Sequence, residues 1–255
     1  MNITEYKPTE RFKGLVETYR KYRPSYPTQI FDILNHRYGF DDKHITADIG
    51  SGTGIFTKLL VDNTNVVYAI EPNEEMRLAA EFEFSNANHF ISIDGSAEQT
   101  KLDDKSVDYI FSAQAFHWFN YEKTIPEFYR IINADGKIVL IWNERSSSKG
   151  FMFGYENLLS KFCPDYNNVN HKNIDDKTIK SLFENKNIDC FNLDNSQELT
   201  FDQISGRVRS TSYCPKEDNP VFTELFTFLE NMFTIYSEKG LVTFEYNTKV
   251  YVISE

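Results

Sequence analysis

The sequence predicts an α/β fold with a mostly parallel sheet, on three observations. Short β-branched or aromatic runs alternate with helix-spaced apolar residues from His44 to Asn143. Turn residues bound each run, and a glycine-rich turn, Gly50-Ser51-Gly52-Thr53-Gly54, joins the first run to the first helical pattern. Strands that alternate with helices pack as a parallel sheet covered on both faces, because each crossover helix lies back across the strands it joins.

Residues 11–38 read as helical, broken at Arg23-Pro24-Ser25-Tyr26-Pro27, where two prolines three apart forbid a continuous helix. From Thr28, a predicted N-cap, Ile30, Phe31 and Leu34 share one face. Predicted strands follow at Ile45–Ile49, Asn65–Ile70, His89–Ile93, Val107–Ser112 and Lys137–Trp142. Between them lie helical patterns carried by Phe56, Leu59 and Leu60, by Met76, Leu78 and Ala79, and by Ile125, Phe128, Tyr129 and Ile132. Asp135-Gly136 reads as the turn into the fifth strand. Beyond Asn143 come helical patterns at Phe151–Phe162 and Ile174–Phe183 and a sixth strand at Ile188–Leu193. Thr200-x-x-Gln203 reads as a capping box. Asn219-Pro220 opens a Phe-rich helix that Gly240 ends, and Val242–Ser254 is the last strand. The Phe-rich stripe of that helix predicts a core-facing surface.

Composition narrows the function. A net charge of −11 argues against a long phosphate-binding surface, which needs clustered Lys and Arg. The run Arg20-Lys21-Tyr22-Arg23 and the pair Arg207 and Arg209 are local exceptions. Cys163, Cys190 and Cys214 are scattered and odd in number, so neither a disulfide framework nor a metal site is expected. No apolar run approaches the roughly 20 residues of a membrane span, and the start has no apolar leader core. A cytoplasmic protein with neither nucleic-acid nor membrane partner is the expectation.

The glycine turn carries the chemistry. Glycines there let backbone N–H groups approach a ligand with no Cβ in the way. Asp48 stands two residues before Gly50, and Glu71 ends the next strand, where ribose hydroxyls would lie. The spacing is G-x-G-x-G, and Ile55 stands where a dinucleotide enzyme carries its third glycine. That argues against a nicotinamide-dependent oxidoreductase.

Ala47-Asp48-Ile49-Gly50-Ser51-Gly52-Thr53-Gly54 resembles the first motif of class I S-adenosylmethionine-dependent methyltransferases. Glu71-Pro72-Asn73-Glu74-Glu75-Met76 is similar to that family's second segment, and Asp94-Gly95-Ser96-Ala97-Glu98 to its third, with Ser96 where Asp is usual. Ser112-Ala113-Gln114-Ala115-Phe116-His117-Trp118-Phe119 resembles the segment after the fourth strand in the small-molecule, trans-aconitate-type subgroup. The flank from Phe12 to Pro27, with Tyr19, and Arg209–Tyr213 are also similar to that subgroup.

The resemblance implies a Rossmann-like, doubly wound sheet of seven strands, mostly parallel, with an antiparallel last strand and a helical cap. It implies one domain over 1–255: a lid at 1–38, a cofactor core at 44–145, a substrate cap at 146–215 and a closing helix and strand at 216–255. S-adenosyl-L-methionine is the implied cofactor. Its implied contacts are Tyr19, Arg23, Asp48, Gly50, Ser51, Gly52, Thr53, Glu71, Pro72, Met76, Gly95, Ser96, Ala97 and Gln114. Arg23 pairs with the cofactor's carboxylate or is a surface cation at a helix break; both readings stand at this point. Trp118, Arg209 and Tyr213 are implied at the acceptor, a small molecule offering a carboxylate, hydroxyl or amine. His117 is the candidate base, with a packing role as its alternative. Methyl transfer from a sulfonium needs a base only for some acceptors, so missing catalytic motifs do not argue against it. A non-catalytic protein that binds the same cofactor is the other reading.

Overall fold

The computed structural model describes residues 22–64, 66–146, 149–164, 166, 175–211 and 213–255. Its seven strands form one sheet: β1 (Ile45–Ile49), β2 (Val66–Ile70), β3 (Phe90–Ile93), β4 (Val107–Ala113), β5 (Ile132–Arg145), β6 (Asn187–Leu199) and β7 (Val242–Ser254). The order is β3-β2-β1-β4-β5-β7-β6. Strands β1 to β5 pair in parallel, whereas β7 runs antiparallel to both β5 and β6. The order reverses between β1 and β4, the switch point whose carboxyl edge receives ligands in open α/β sheets.

Eight helices accompany the sheet among the described residues: α1 (Gln29–Tyr38), α2 (Thr57–Val61), α3 (Glu74–Glu83), α4 (Tyr121–Ile131), α5 (Gly150–Phe162), α6 (Asp176–Leu182), α7 (Phe201–Ser210) and α8 (Val221–Tyr236). Helices α4 and α6 pack Phe128, Ile131 and Ile179 into one core cluster with the sheet, and α1 and α2 pack Ile30, Leu34 and Leu60 into another. Strand β1 is buried on both faces, which encloses Thr46 and Asp48 as well as Ala47 and Ile49. A third cluster lies in the cap, where α5, α7 and α8 close on Phe244 and Tyr246 of β7. Leu225, Leu229 and Met232 of α8 are buried in it and Phe226 and Phe233 are half-buried against it, whereas Tyr236 is exposed, so the Phe-rich stripe is core-facing only in part.

Four local expectations change. Thr28 precedes α1, but its side chain makes no capping bond. Asp135-Gly136 lies inside β5, at a register shift where Val107 pairs with Ile132 and Tyr109 with Lys137. Strand β6 runs six residues past Leu193, to Leu199. Helix α8 ends at Tyr236, and Gly240 instead makes the turn closed by the Glu238–Leu241 bridge. The capping box at Thr200 and Gln203 forms as the sequence predicts.

Candidate active site

A cavity of about 470 Å³ opens over the carboxyl edge of the sheet. Its floor at one end is the turn after β1. The Gly50 and Ser51 amides donate to the Ile70 carbonyl at 2.9 and 3.2 Å, which ties the turn to β2. Gly50 has φ +73, and a Cβ there would stand 2.5 Å from that of Ala115, so its bare Cα permits close packing. Gly52, at φ +57, differs: a Cβ would meet nothing nearer than Met76 Sδ at 3.9 Å, leaving open space on the cavity side.

Glu71 closes this end. Its carboxylate accepts the Gly52 amide at 2.9 Å and the Asn73 amide at 2.8 Å. Asn73 in turn caps α3 by accepting the Met76 amide at 3.0 Å, which sets Met76 on the cavity wall. Burial raises the Glu71 pKa, against the two amide bonds that lower it. Asp48 is pushed up to about 7 by burial; the Thr57 hydroxyl at 2.6 Å lowers it and the charge of Glu71 raises it. Asp48 Oδ1 and Thr53 Oγ1 are buried with no hydrogen-bond partner, and both residues line the cavity. Buried polar atoms are almost always paired, so two orphans on one wall mark a place where a ligand supplies the partner.

The segment after β4 forms the middle wall. Gln114 adopts φ +54, a region a side chain enters at a cost, and its amide holds the Asn143 carbonyl at 2.9 Å. A 3₁₀ turn, Phe116–Trp118, then presents His117 and Trp118 to the cavity while Phe116 is buried beneath. The Trp142 indole donates to His117 Nδ1 at 3.3 Å. A neutral ring that accepts at Nδ1 carries its proton on Nε2, and is a donor there.

The far end gathers residues from four elements. Arg145 ends β5 and pairs with Glu156 of α5 at 2.5 Å and the Tyr166 hydroxyl at 2.9 Å. Arg207 of α7 donates to the Tyr246 hydroxyl on β7 and to the Tyr22 carbonyl at 2.7 Å. Tyr155 and Tyr213 complete the wall. Burial raises the pKa of Tyr155, Tyr166, Tyr213 and Tyr246, so their hydroxyls stay protonated and serve as donors. The chain at 22–26 crosses above. Asn143 and Asn195 amides both hold the Ser25 carbonyl, at 3.1 and 2.9 Å. Gly206 makes room for the Tyr22 ring, since a Cβ there would stand 2.2 Å from its nearest carbon.

Of the residues expected at the cofactor, Arg23, Asp48, Gly50, Ser51, Gly52, Thr53, Glu71, Pro72, Met76, Ser96, Ala97 and Gln114 line this cavity. Gly95 does not; it sits in a tight turn where a Cβ would meet the Thr100 carbonyl at 3.0 Å. Tyr19 lies outside the described residues. Of the acceptor residues, Trp118 and Tyr213 line the cavity with His117. Arg209 is a correction: it lies on the outer side of α7, paired with Glu217 at 3.3 Å and stacked over Phe226 at 4.5 Å. Arg207, two residues earlier, takes the inward place. The sequence reading also missed Arg145, Tyr155, Tyr166 and Tyr246.

A switch-point cavity with this turn and this acidic strand end defines a class I methyltransferase fold. Comparison with known proteins agrees: residues 47–140 match the family described as a methyltransferase domain. An uncharacterized methyltransferase-like protein of Schizosaccharomyces pombe is 32% identical over 155 residues, 60% of this chain and 59% of that one. An uncharacterized methyltransferase of Mycobacterium tuberculosis is 33% identical over 141 residues, 55% of each. The chain thus spans under two-thirds of the length of these relatives. Among solved structures, a candidate type II methyltransferase from Anaeromyxobacter dehalogenans superposes with TM-score 0.65 at 18% identity, covering 91% of this chain and 97% of that one. A candidate methyltransferase from an antibiotic biosynthesis pathway of Anabaena variabilis gives 0.63 at 22% identity, covering 92% and 98%. At such identities the two structures speak for the fold alone. The matched segment, residues 47–140, thus resembles a methyltransferase domain, a family whose cofactor is S-adenosylmethionine. Among the described residues no helix is long and apolar enough to cross a membrane.

Proposed function

We propose that the chain transfers a methyl group from S-adenosylmethionine to a small-molecule acceptor by direct displacement. One observation carries the reading: a single cavity joins the glycine turn and Glu71 to an end walled by His117, Trp118, Arg145, Arg207 and Tyr213. Cofactor and acceptor would meet in it out of bulk water. The orphaned Asp48 and Thr53 oxygens and the open space at Gly52 fit the cofactor's methionine portion. Glu71 suits ribose hydroxyls, and Met76 with Ser96 and Ala97 suits the adenine. Arg23 is the candidate partner of the cofactor's carboxylate. When bound, the cofactor supplies an electrophilic methyl group on a sulfonium with its leaving group in place.

The protein's own contribution is alignment and exclusion of water. The Trp142 bond to Nδ1 supports His117 as a hydrogen-bond donor at Nε2 and weighs against the base role the sequence suggested. The tyrosines, held protonated by burial, are no stronger candidates. These features favour an acceptor already nucleophilic at neutral pH, a carboxylate or an unprotonated amine.

Calorimetric titration should show S-adenosylhomocysteine binding and no NAD binding. Label from methyl-tritiated cofactor should then pass to a low-molecular-weight fraction of a metabolite extract. Tight NAD binding without homocysteine-analogue binding would overturn the assignment, and cofactor binding with no label transfer from any extract would leave a binding protein.

A further inference from the structure

Helix α8 carries a second stripe beside the face that enters the cap core. Val221, Glu224, Phe228, Asn231 and Ile235 recur at intervals of three, four, three and four residues, and all five are exposed. Residues at this spacing line up along a helix, and a repeat that averages 3.5 is the seam by which one helix packs on another. Ile235 is 73% exposed, an apolar side chain left in water on a helix whose inner face is already packed.

Helix α5 widens the stripe into a face. Gly154 lies against Met232, where a Cβ would stand 2.8 Å from the Sδ, and the Phe151 and Tyr236 rings meet with centroids 6.5 Å apart. Phe153, between those two α5 positions, is 54% exposed. At the other end Lys161 pairs with Glu224 at 3.1 Å and lies 5.8 Å from the centre of the Phe228 ring. Val221, Phe228, Ile235, Tyr236 and Phe153 thus give the α5–α8 pair an apolar surface, and a lysine answers the one acid of the stripe.

We propose that this face pairs two copies of the chain, with their α8 helices antiparallel about Phe228. A contact made by the same patch on both copies closes after two. Val221 then faces Ile235 of the second copy and the two Glu224 side chains stand apart, whereas a parallel seam would set Glu224 on its twin. At about 200 Å² for a fully exposed aromatic side chain, five half-exposed apolar ones offer about 450 Å² per copy. Two copies bring about 900 Å², and the polar rim takes the contact past the threshold of about 1,000 Å² for a specific interface. Charge selects the same face. Each chain carries a net −11, so two copies repel, and contact falls where acids are few or answered. Leu78 and Phe82 of α3 are exposed too, but Glu74, Glu75, Glu81 and Glu83 flank them, and a second copy there would set acid against acid.

Sedimentation velocity of the whole chain at micromolar concentrations tests the pairing. The wild type should sediment reversibly at twice the chain mass of 29.8 kDa. Added salt should tighten the association, because it screens the repulsion between two acidic copies. Ile235→Lys should weaken it tenfold or more with circular dichroism unchanged, since that side chain is already exposed. Phe82→Lys makes the same change at a side chain 78% exposed on α3, and should leave the dimer constant within threefold. A wild type that stays at the single-chain mass throughout would overturn the inference. So would an intact dimer in Ile235→Lys, a dimer lost in Phe82→Lys, or an association that salt loosens.

Discussion

Asp48→Asn should make the free protein more stable and the cofactor complex weaker. The Asp48 carboxyl is raised from 3.8 to about 7, mainly by burial. A group raised in the folded chain holds its proton there while the unfolded chain has lost it. Between about pH 4 and pH 7 stability therefore falls as pH rises, and above that window the loss is complete. The rise corresponds to about 4 kcal/mol of cost for ionised Asp48. Asparagine removes the charge, keeps an oxygen for the Thr57 hydroxyl, and leaves an amide group to satisfy at about 1–3 kcal/mol. The net gain at pH 8 is then about 1–3 kcal/mol, or about 2–4 °C of Tm per kcal/mol for a chain of this size. Melting curves of both proteins at pH 8, 6 and 4.5 should show the gap closing as pH falls and Asp48 takes up its proton. S-adenosylhomocysteine affinity at pH 8 should drop about tenfold or more, because the ligand's ammonium would meet a neutral group. A gap that ignores pH, or a variant that melts below wild type at pH 8, would refute the reasoning.

Gly52→Val should abolish S-adenosylhomocysteine binding in a protein with unchanged circular dichroism, since its side chain enters the open space of the cavity at a positive φ. Glu71→Ala should weaken the same binding by about 1.5–3 kcal/mol through lost bonds to ribose and a loosened turn, and an unchanged affinity would move the ribose elsewhere. Once an acceptor is known, His117→Ala should lower turnover less than about tenfold and leave the pH profile intact. A loss of about 10²–10⁴-fold with a missing acidic limb would restore the base role. Arg145→Met should lower stability by about 3 kcal/mol by removing the cation from Glu156, and Glu156→Gln in the same chain should recover part of it.

The cofactor half of the site was legible because it is local. Strand β1, the glycine turn and Glu71 lie within one βαβ unit, and backbone geometry there dictates residue type. The far half was not, because Arg145, Tyr155, Arg207 and Tyr246 come from four elements and carry no shared spacing. The choice between Arg207 and Arg209 was readable in principle. Ile204, Arg207 and Val208 fall at i, i+3 and i+4, all on the buried face of α7, while Arg209 points outward. The tail of β6 was missed because Asp194–Leu199 forms an edge pairing with β7 whose outward residues are polar. Asp135-Gly136 has turn composition, but the bulge beside Val107 absorbs it without ending the strand.

The fit of Tyr22 against Gly206 ties two distant positions of the gene. With 2.2 Å between the ring and the site of any added Cβ, a single change from glycine would expel the ring, and with it the carbonyl that Arg207 Nε holds. Among descendants of this sequence, positions 22 and 206 should drift as a pair, with a side chain arriving at 206 only where position 22 has already given up its ring. Swapping one without the other between relatives would yield chimeras that melt below both parents.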